Sequence, residues 1–298
     1  MKITITGASG FVGTNLSNYL EEKRNFIEKI SLRNSDFSLC KDAHAIIHLA
    51  GKAHDTSNTS KEKEYFEINT ALTKKIFDQF LSSTVKDFIC FSSVKAVADV
   101  VDNVLIEDVK SNPQTPYGRS KLFAEQYILS HKLPEGKRLF ILRPCMIHGQ
   151  GNKGNLNLLY KFVKKGVPYP LGSFDNERSF LSIDNLNFII EKILNDETIK
   201  SGVYNLADDE FVSTNNLIKL IAESQGKKTR IWKVSKDIIV FIAKLGSALR
   251  LPLNTERLQK LTENYRVSNT KIKQALNIEK LPFTAEEGLK KTLESFKK

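Results

Sequence analysis

The chain has 298 residues, of which 41% are hydrophobic and 27% charged, a composition that excludes a disordered or fibrous protein. Its 45 Lys and Arg against 34 Asp and Glu give a net charge of +11, which attracts anions without choosing among nucleic acid, acidic lipid and phosphorylated small molecules. A chain of this length predicts one or two domains and can bury a core without disulfides or metals.

Strands and helices alternate along the first half of the chain. Apolar runs predict strands at 2–6, 26–32, 45–50, 87–91 and 138–143, and helical spacing predicts helices at 11–22, 62–81 and 115–129. A further strand is predicted at 202–206. This alternation is typical of an α/β fold with a doubly wound parallel sheet and helices on both faces.

The pattern changes near residue 150. Glycines and prolines make residues 149–172 rich in loops, and the remainder is mostly helical and basic. We therefore predict one domain over 1–150, to which the strand at 202–206 returns. A smaller, mostly helical lobe over 151–298 is predicted to close over the carboxyl edge of the sheet.

The cysteines and the apolar stretches indicate the cellular location of the protein. Cys40, Cys90 and Cys145 show no metal-ligand spacing, so we predict no metal and interpret them as reduced thiols of a cytoplasmic protein. The longest apolar stretch, 238–249, contains Lys244 and is shorter than the roughly 20 residues that span a bilayer. We expect no stable insertion into a membrane.

A glycine-rich turn joins the first predicted strand to the first predicted helix. Gly7, Gly10 and Gly13 allow the backbone to turn tightly and to approach a pyrophosphate. The helix N-terminus offers free N–H groups and a partial positive charge to the same anion. The turn therefore predicts a phosphate-binding loop, with a ligand-free glycine turn as the alternative.

The spacing TGxxGxxG over residues 6–13 resembles the extended short-chain dehydrogenase/reductase family, in particular its nucleotide-sugar epimerase/dehydratase type, which is UDP-hexose 4-epimerase-like. Further segments resemble that family in the same order: His48-Leu49-Ala50-Gly51, Ser92-Ser93, Tyr117 with Lys121, Leu142-Arg143-Pro144, Arg178 to Asp184, and Tyr204-Asn205-Leu206. The resemblance implies a Rossmann fold with 1–150 as the NAD(P)-binding domain and 151–298 as the substrate-binding lobe.

The resemblance also implies which residues hold NAD or NADP. They are Gly7, Ser9, Gly10, Phe11, Val12, Gly13, Leu49, Ala50, Gly51, Tyr117, Lys121 and Pro144, with Arg33 and Asp36 near the second strand. NAD-specific proteins carry an acid after that strand. Here Arg33 stands in that region and is available for a 2′-phosphate, which favours NADP, while Asp36 resembles the acid that contacts adenine.

Tyr117 and Lys121 lie four residues apart and share one face of a predicted helix. A nearby ammonium lowers the pKa of a phenol, so Tyr117 is predicted to be the general acid/base at a sugar hydroxyl. Lys121 is predicted to orient the nicotinamide ribose and to lower that pKa. Ser93, at the end of a predicted strand, is expected to hydrogen-bond the reacting oxygen of the substrate.

The substrate implied by the resemblance is a nucleotide sugar, with UDP as the nucleotide. Arg178 is expected on its diphosphate, since a guanidinium pairs with phosphate oxygens in a bidentate way. Asn155 and Leu156 resemble the loop that holds the nucleotide sugar, and Asn69 stands where the family places a structural or proton-relay Asn. Family members often form homodimers through the helix of the catalytic tyrosine.

Three reactions are weighed. Dehydratases carry Thr-Asp-Glu where this chain has Ser93-Val94-Lys95, so elimination of water is disfavoured. We place a 4-epimerase of surface-polysaccharide biosynthesis first, and an NADPH-dependent reductase of a 4-keto-6-deoxy sugar second. His148, in place of the family's tyrosine after Pro144, is interpreted as a packing residue of a loop.

A different class of function rests on the C-terminal part of the chain. Lys227, Lys228 and Arg230 precede the apolar run 238–243, a pattern that suits a basic amphipathic helix on a membrane surface or partner. A non-catalytic dinucleotide-binding protein is also considered, and no nucleic-acid partner is expected. We expect this helix to pack in the small lobe with lysine stems on its outer face.

Overall fold

A computed structural model describes residues 1–32, 42–52, 61–152, 154–249 and 254–297. The strands are β1 Lys2–Thr6, β2 Phe26–Ile30, β3 Ala45–His48, β4 Asp87–Phe91, β5 Val104–Leu105, β6 Arg138–Pro144, β7 Met146–His148, β8 Arg178–Ser182, β9 Gly202–Leu206, β10 Phe211–Val212 and β11 Arg266–Val267.

The helices follow the predicted alternation. They are α1 Phe11–Glu22, α2 Glu62–Tyr65, α3 Leu72–Leu81, α4 Pro116–Leu129, α5 Asn155–Lys164, α6 Ile183–Asn195, α7 Thr214–Ser224, α8 Lys236–Ala248, α9 Thr255–Thr262, α10 Thr270–Ala275 and α11 Ala285–Ser295. A π-helical turn at Phe66–Ala71 joins α2 to α3, and a 3₁₀ turn at Val94–Ala96 follows β4.

Six strands form the central sheet in the order β2-β1-β3-β4-β6-β9, and every pairing is parallel. The predicted α/β Rossmann fold is confirmed. Since the strands are parallel, their carboxyl ends lie at one edge of the sheet. The chain leaves β1 for β2 on one side and returns to β3 on the other, so the crevice between β1 and β3 is the switch point where such sheets bind ligands.

The sheet is covered on both faces, and its inner strands carry apolar side chains on both sides. Ile3, Ile47 and Ile89 pack on one face with residues of α1 and α6, and Ile46 and Phe88 pack on the other with residues of α3 and α4. The helix α6 thus lies on the sheet although it follows residue 150. The domain division at residue 150 stays a prediction.

A second apolar cluster lies beyond the sheet. It joins α5, α7, α8 and α11 to the three-stranded sheet β10-β8-β7, and its buried members include Leu156, Phe180, Ile221, Ala243 and Leu289. In the described ranges, none of the helices is long and apolar enough to cross a membrane.

The expectation for α8 holds for its buried side and only in part for its outer side. Its inner side packs as expected, with Ile239 and Ala243 buried. Its outer side carries the exposed Lys236 and Lys244, but also large apolar side chains, and Phe241 is 62% exposed there. The apolar run contains more apolar side chains than one buried face of a helix can cover, so the remaining ones are exposed.

Cys90 and Cys145 are buried free thiols, as their packing roles require. Burial raises the pKa of Cys90 to about 12, so this thiol stays protonated and is a poor nucleophile. Cys40 lies outside the described residues.

Candidate active site

The glycine turn stands at the carboxyl end of β1, where the switch point opens. Gly7 has a φ of +73°, and a Cβ on it would lie 2.6 Å from the backbone nitrogen of Ala50. A Cβ on Gly13 would lie 2.3 Å from the carbonyl oxygen of Gly7. Larger residues at either position would displace backbone, so both glycines are required by this close turn.

The N-terminus of α1 is built to receive an anion. Its N-cap residue is Gly10, so no capping side chain occupies the first amides, and the first turn carries no acidic residue. Phe11 and Val12, the first residues of α1, and Ser9 complete the turn. Free N–H groups at such a terminus suit a pyrophosphate, so these residues fit the dinucleotide that the sequence predicts.

The loop after β3 forms the second wall of the crevice. The nitrogen of Leu49 donates to the carbonyl of Thr6 at 3.1 Å, and the nitrogen of Ala50 donates to the Thr6 hydroxyl at 3.3 Å. The same hydroxyl lies 2.7 Å from Nδ1 of His48. His48 is fully buried, and this burial, with the charge of Lys121, lowers its pKa to about 3. The imidazole is therefore a neutral structural element.

Tyr117 and Lys121 lie one turn apart at the start of α4. Thr115 caps this helix by accepting from the Gly118 nitrogen at 3.2 Å, and Pro116 takes the first-turn position that suits its fixed φ. The Ser93 side chain follows β4 and hydrogen-bonds the Tyr117 side chain. The structure thus brings the three predicted catalytic residues together at the carboxyl edge of the sheet.

The charge environment of Tyr117 differs from the prediction. Burial raises its pKa above the ordinary value, and the hydrogen bond from Ser93 acts in the opposite direction. The predicted net lowering by Lys121 is wrong for the protein itself, because desolvation of the phenolate is the larger effect. Burial likewise lowers the pKa of Lys121.

The Lys121 ammonium lies against Gly51. A Cβ on Gly51 would lie 3.2 Å from Nζ of Lys121 and 3.0 Å from Oδ1 of Asn69. Asn69, in the π-helical turn, accepts from the Lys52 nitrogen at 2.7 Å and donates to the Ser120 hydroxyl at 3.0 Å. The buried amide therefore joins the loop after β3 to α4, a structural role in this geometry.

A buried ion pair, which sequence reasoning missed, fixes the next turn of α4. Glu125 accepts from Nη2 of Arg143 at 2.5 Å and from the Ser92 hydroxyl, and it is 2% exposed. Arg143 stands before Pro144, the last residue of β6. The four-residue spacing of Tyr117, Lys121 and Glu125 could have indicated that Glu125 faces the same side of the helix. It does not indicate that Arg143 is its partner.

Two cations, Arg178 and Lys95, lie near each other, and the Lys95 backbone nitrogen donates to the Ser93 hydroxyl at 3.2 Å. Arg178, the first residue of β8, donates to the Lys260 carbonyl and has Glu263 at 4.0 Å. Burial lowers the pKa of both Arg178 and Lys95, and the positive charge of Arg178 also acts to lower the pKa of Lys95. Sequence reasoning read Lys95 only as a departure from the dehydratase pattern and missed it as a cation near this site.

The remaining predicted residues are placed as follows. The Leu156 side chain is buried in the second apolar cluster, so only its backbone is available to contact a substrate. Asn155 is exposed at the first position of α5. His148 is buried and shares a hydrogen bond of 2.8 Å with Thr292, in agreement with a packing role. Arg33 and Asp36 lie outside the described residues.

Among the side chains that the structure describes, no three His, Cys, Asp or Glu groups are close enough together to hold a metal ion. A glycine-rich turn at the switch point, with a serine, a tyrosine and a lysine beside it, is the arrangement typical of a nicotinamide-dependent short-chain dehydrogenase/reductase.

The comparisons with known proteins agree. Residues 3–207 match the model of the NAD dependent epimerase/dehydratase family, and the chain belongs to that family. The resemblance drawn from the sequence and the prediction of an NAD(P)-dependent enzyme are confirmed.

Similar proteins cover the chain almost from end to end. It is 30% identical to a UDP-glucose 4-epimerase of Vibrio cholerae, over 99% of this chain and 95% of that protein. It is 25% identical to the N-acetyl-alpha-D-glucosaminyl-diphospho-ditrans,octacis-undecaprenol 4-epimerase of Escherichia coli O157:H7, over 98% and 94%. The solved structure of MoeE5 in complex with UDP-glucose and NAD has the same fold, with a TM-score of 0.77, 18% identity, and 100% and 99% of the chains covered.

Proposed function

We propose that this protein is an NAD(P)-dependent 4-epimerase of a nucleotide sugar, a UDP-hexose or UDP-N-acetylhexosamine used for surface polysaccharide. The observation that carries the proposal is the hydrogen bond between Ser93 and Tyr117, with Lys121 one turn away, beside the glycine turn. The proposal is also supported by the two relatives described above, since both are named as 4-epimerases.

The chain's own residues move the proton at C4 of the sugar. The Tyr117 phenolate takes the proton of the C4 hydroxyl and later returns it, as a general base and then a general acid. The Ser93 hydroxyl donates to the reacting oxygen and holds it at the phenol. A bound nicotinamide would supply the reversible hydride acceptor that oxidation and re-reduction at C4 require.

The residues that would hold the cofactor lie on both walls of the crevice. The amides of Ser9 to Gly13 would receive its pyrophosphate, Leu49 to Gly51 would line the opposite wall, and Lys121 would orient the nicotinamide ribose, with Pro144 at the end of β6. NADP is favoured by Arg33 from the sequence alone. Titration of the purified protein with NAD and NADP side by side tests this, and tighter NAD would remove the argument.

Lys95 and Arg178 are proposed to hold the diphosphate of the substrate. Both cations lie near Glu263, and Arg178 is the first residue of β8. A diphosphate is common to sugars carried on a nucleoside and on a polyprenyl lipid, and the Escherichia coli relative is named for the second kind. The assay therefore includes UDP-GlcNAc, UDP-Gal and a polyprenyl-diphosphate GlcNAc.

The decisive experiment follows product and cofactor together. Purified protein is incubated with these sugars and with a UDP-4-keto-6-deoxy sugar. We expect a C4 epimer with no net change of cofactor. Loss of NADPH in proportion to product would identify the 4-ketoreductase instead, and dinucleotide binding without any turnover would identify the non-catalytic alternative.

We also propose a cytoplasmic homodimer that forms through α4. The support is the outer side of α4, where Phe123 is 50% and Leu129 is 52% exposed. Light scattering of Phe123→Ser and of the unchanged protein tests this, and an unchanged protein that is monomeric at micromolar concentration would exclude it.

A further inference from the structure

An exposed apolar stripe runs along α8. Ile238, Phe241, Ile242 and Leu245 are spaced by three, one and three residues, which places them on one side of the helix. They are 53%, 62%, 43% and 46% exposed, and Leu249 and Trp232 at the two ends of the segment are 66% and 59% exposed. The described chain covers the other apolar side of the same helix, where Ile239 and Ala243 are buried.

Cations surround this stripe. Residues 227–249 carry six of them, Lys227, Lys228, Arg230, Lys233, Lys236 and Lys244, and Asp237 is the one acid in that segment. All six are exposed. Lys228 and Arg230 also line a cavity of about 380 Å³ together with Val167 and Tyr169. The surface therefore combines apolar side chains with a local excess of positive charge.

We propose that this surface, the exposed stripe of α8 with Trp232 and the surrounding cations, docks the protein on an anionic lipid bilayer. Large apolar side chains on one side of a helix enter the boundary between headgroups and acyl chains, and lysines beside them pair with anionic lipids. A second copy of the chain fits less well, because two copies would bring like charges together.

The helix that carries the docking surface is connected through α9 to the candidate diphosphate site. The helix α8 packs against α9, and the carbonyl of Lys260 in α9 accepts the hydrogen bond of Arg178. Docking therefore brings the candidate diphosphate site near the bilayer, one helix away from it. This inference goes beyond the proposed reaction, since it concerns where the enzyme works, and it is tested without turnover.

The test is co-sedimentation with vesicles of phosphatidylcholine alone and of phosphatidylcholine with phosphatidylglycerol, at physiological salt. We expect the unchanged protein to pellet with the anionic vesicles. We expect the triple variant Ile238→Ser/Phe241→Ser/Leu245→Ser to bind them on the order of tenfold or more weakly. Lys233→Glu/Lys236→Glu is expected to lose the preference for anionic lipid.

The matched control replaces apolar side chains of similar exposure elsewhere. Phe26 is 65% and Ile106 is 47% exposed, so Phe26→Ser/Ile106→Ser should pellet like the unchanged protein. Circular dichroism checks that each variant folds. The proposal is overturned if the unchanged protein stays in the supernatant, if the control loses binding equally, or if light scattering shows that the stripe variant merely converts a dimer to a monomer.

Discussion

The Lys121 ammonium donates a hydrogen bond to the backbone carbonyl of Phe91, with 2.8 Å between the two atoms. Phe91 ends β4, and Ser93 follows two residues later. The lysine therefore joins α4, which carries Tyr117, to the strand end that carries Ser93. Its position depends on the glycine at 51, which leaves room for the ammonium.

Replacement of Lys121 should reduce both cofactor binding and turnover. We expect Lys121→Met to weaken NAD(P) binding by about tenfold, because the donor that faces the ribose site is lost. Lys121→Arg should not restore binding, since the ammonium is buried and donates to the Phe91 carbonyl at 2.8 Å, and a larger planar guanidinium does not reproduce that position. Fluorescence titration measures both; full recovery by arginine would contradict this packing argument.

The phenol of Tyr117 should set the pH dependence of the reaction. Burial raises its pKa, so the ionised fraction and kcat/KM should rise with pH through the neutral range. Tyr117→Phe should keep the fold and lower kcat by about 10²–10⁴-fold, the usual value of general acid–base catalysis. Activity like that of the unchanged enzyme in this variant would remove Tyr117 from the mechanism.

The Ser93 hydroxyl offers a second test of the same phenol. Because its hydrogen bond lowers the pKa of Tyr117, Ser93→Ala should move the rising limb of the pH–rate profile to higher pH. Ser92→Ala is the matched control, since the Ser92 hydroxyl donates to Glu125 instead. A profile that moves equally in both variants would point to a general disturbance of this strand end.

Replacement of Arg178 or Lys95 should change KM more than kcat. Arg178→Met and Lys95→Met each remove a charge that we assign to the diphosphate, and each should raise KM by about tenfold to a hundredfold, the value of a charged hydrogen bond. Steady-state kinetics at saturating cofactor measure this. An unchanged KM with reduced kcat would place these residues elsewhere in the mechanism.

The features that the sequence predicts correctly have local signals. The strand β4 is predicted at its observed bounds because an apolar run marks it, and the turn at Gly7 and Gly13 because glycine is required wherever backbones come this close. The roles of Ser93, Tyr117 and Lys121 stay predictions, although the structure places the three side chains together.

The missed features arise from contacts between distant segments. Glu125 meets Arg143 across 18 positions, and a Glu in a helix and an Arg in a strand carry no mark of each other before folding. Periodicity alone also cannot tell which of two apolar sides of α8 the lobe covers, so the exposure of Phe241 could only be seen in the structure.

The buried Glu125–Arg143 pair should contribute more to stability than an exposed pair on the same helix. Glu125→Gln leaves the buried Arg143 charge unpaired and should lower the free energy of unfolding by about 3–5 kcal/mol. The control is Glu62→Gln, which breaks an exposed pair with Arg119 (2.7 Å) and should cost under about 1 kcal/mol. Equal losses in urea unfolding would contradict this assignment.

Acid should destabilise the protein through His48. The imidazole is buried between the hydroxyls of Thr6 and Thr73, and its pKa of about 3 in the folded chain lies below the ordinary 6.5 of the unfolded chain. Between these values the unfolded state binds the extra proton, so stability is complete above pH 6.5 and falls by about 1.4 kcal/mol for each pH unit below it.

His48→Gln keeps hydrogen-bonding groups but cannot titrate, so it should show a shallower loss of stability between pH 6.5 and pH 4 in urea unfolding. A slope that is unchanged in His48→Gln would show that other groups cause the acid sensitivity.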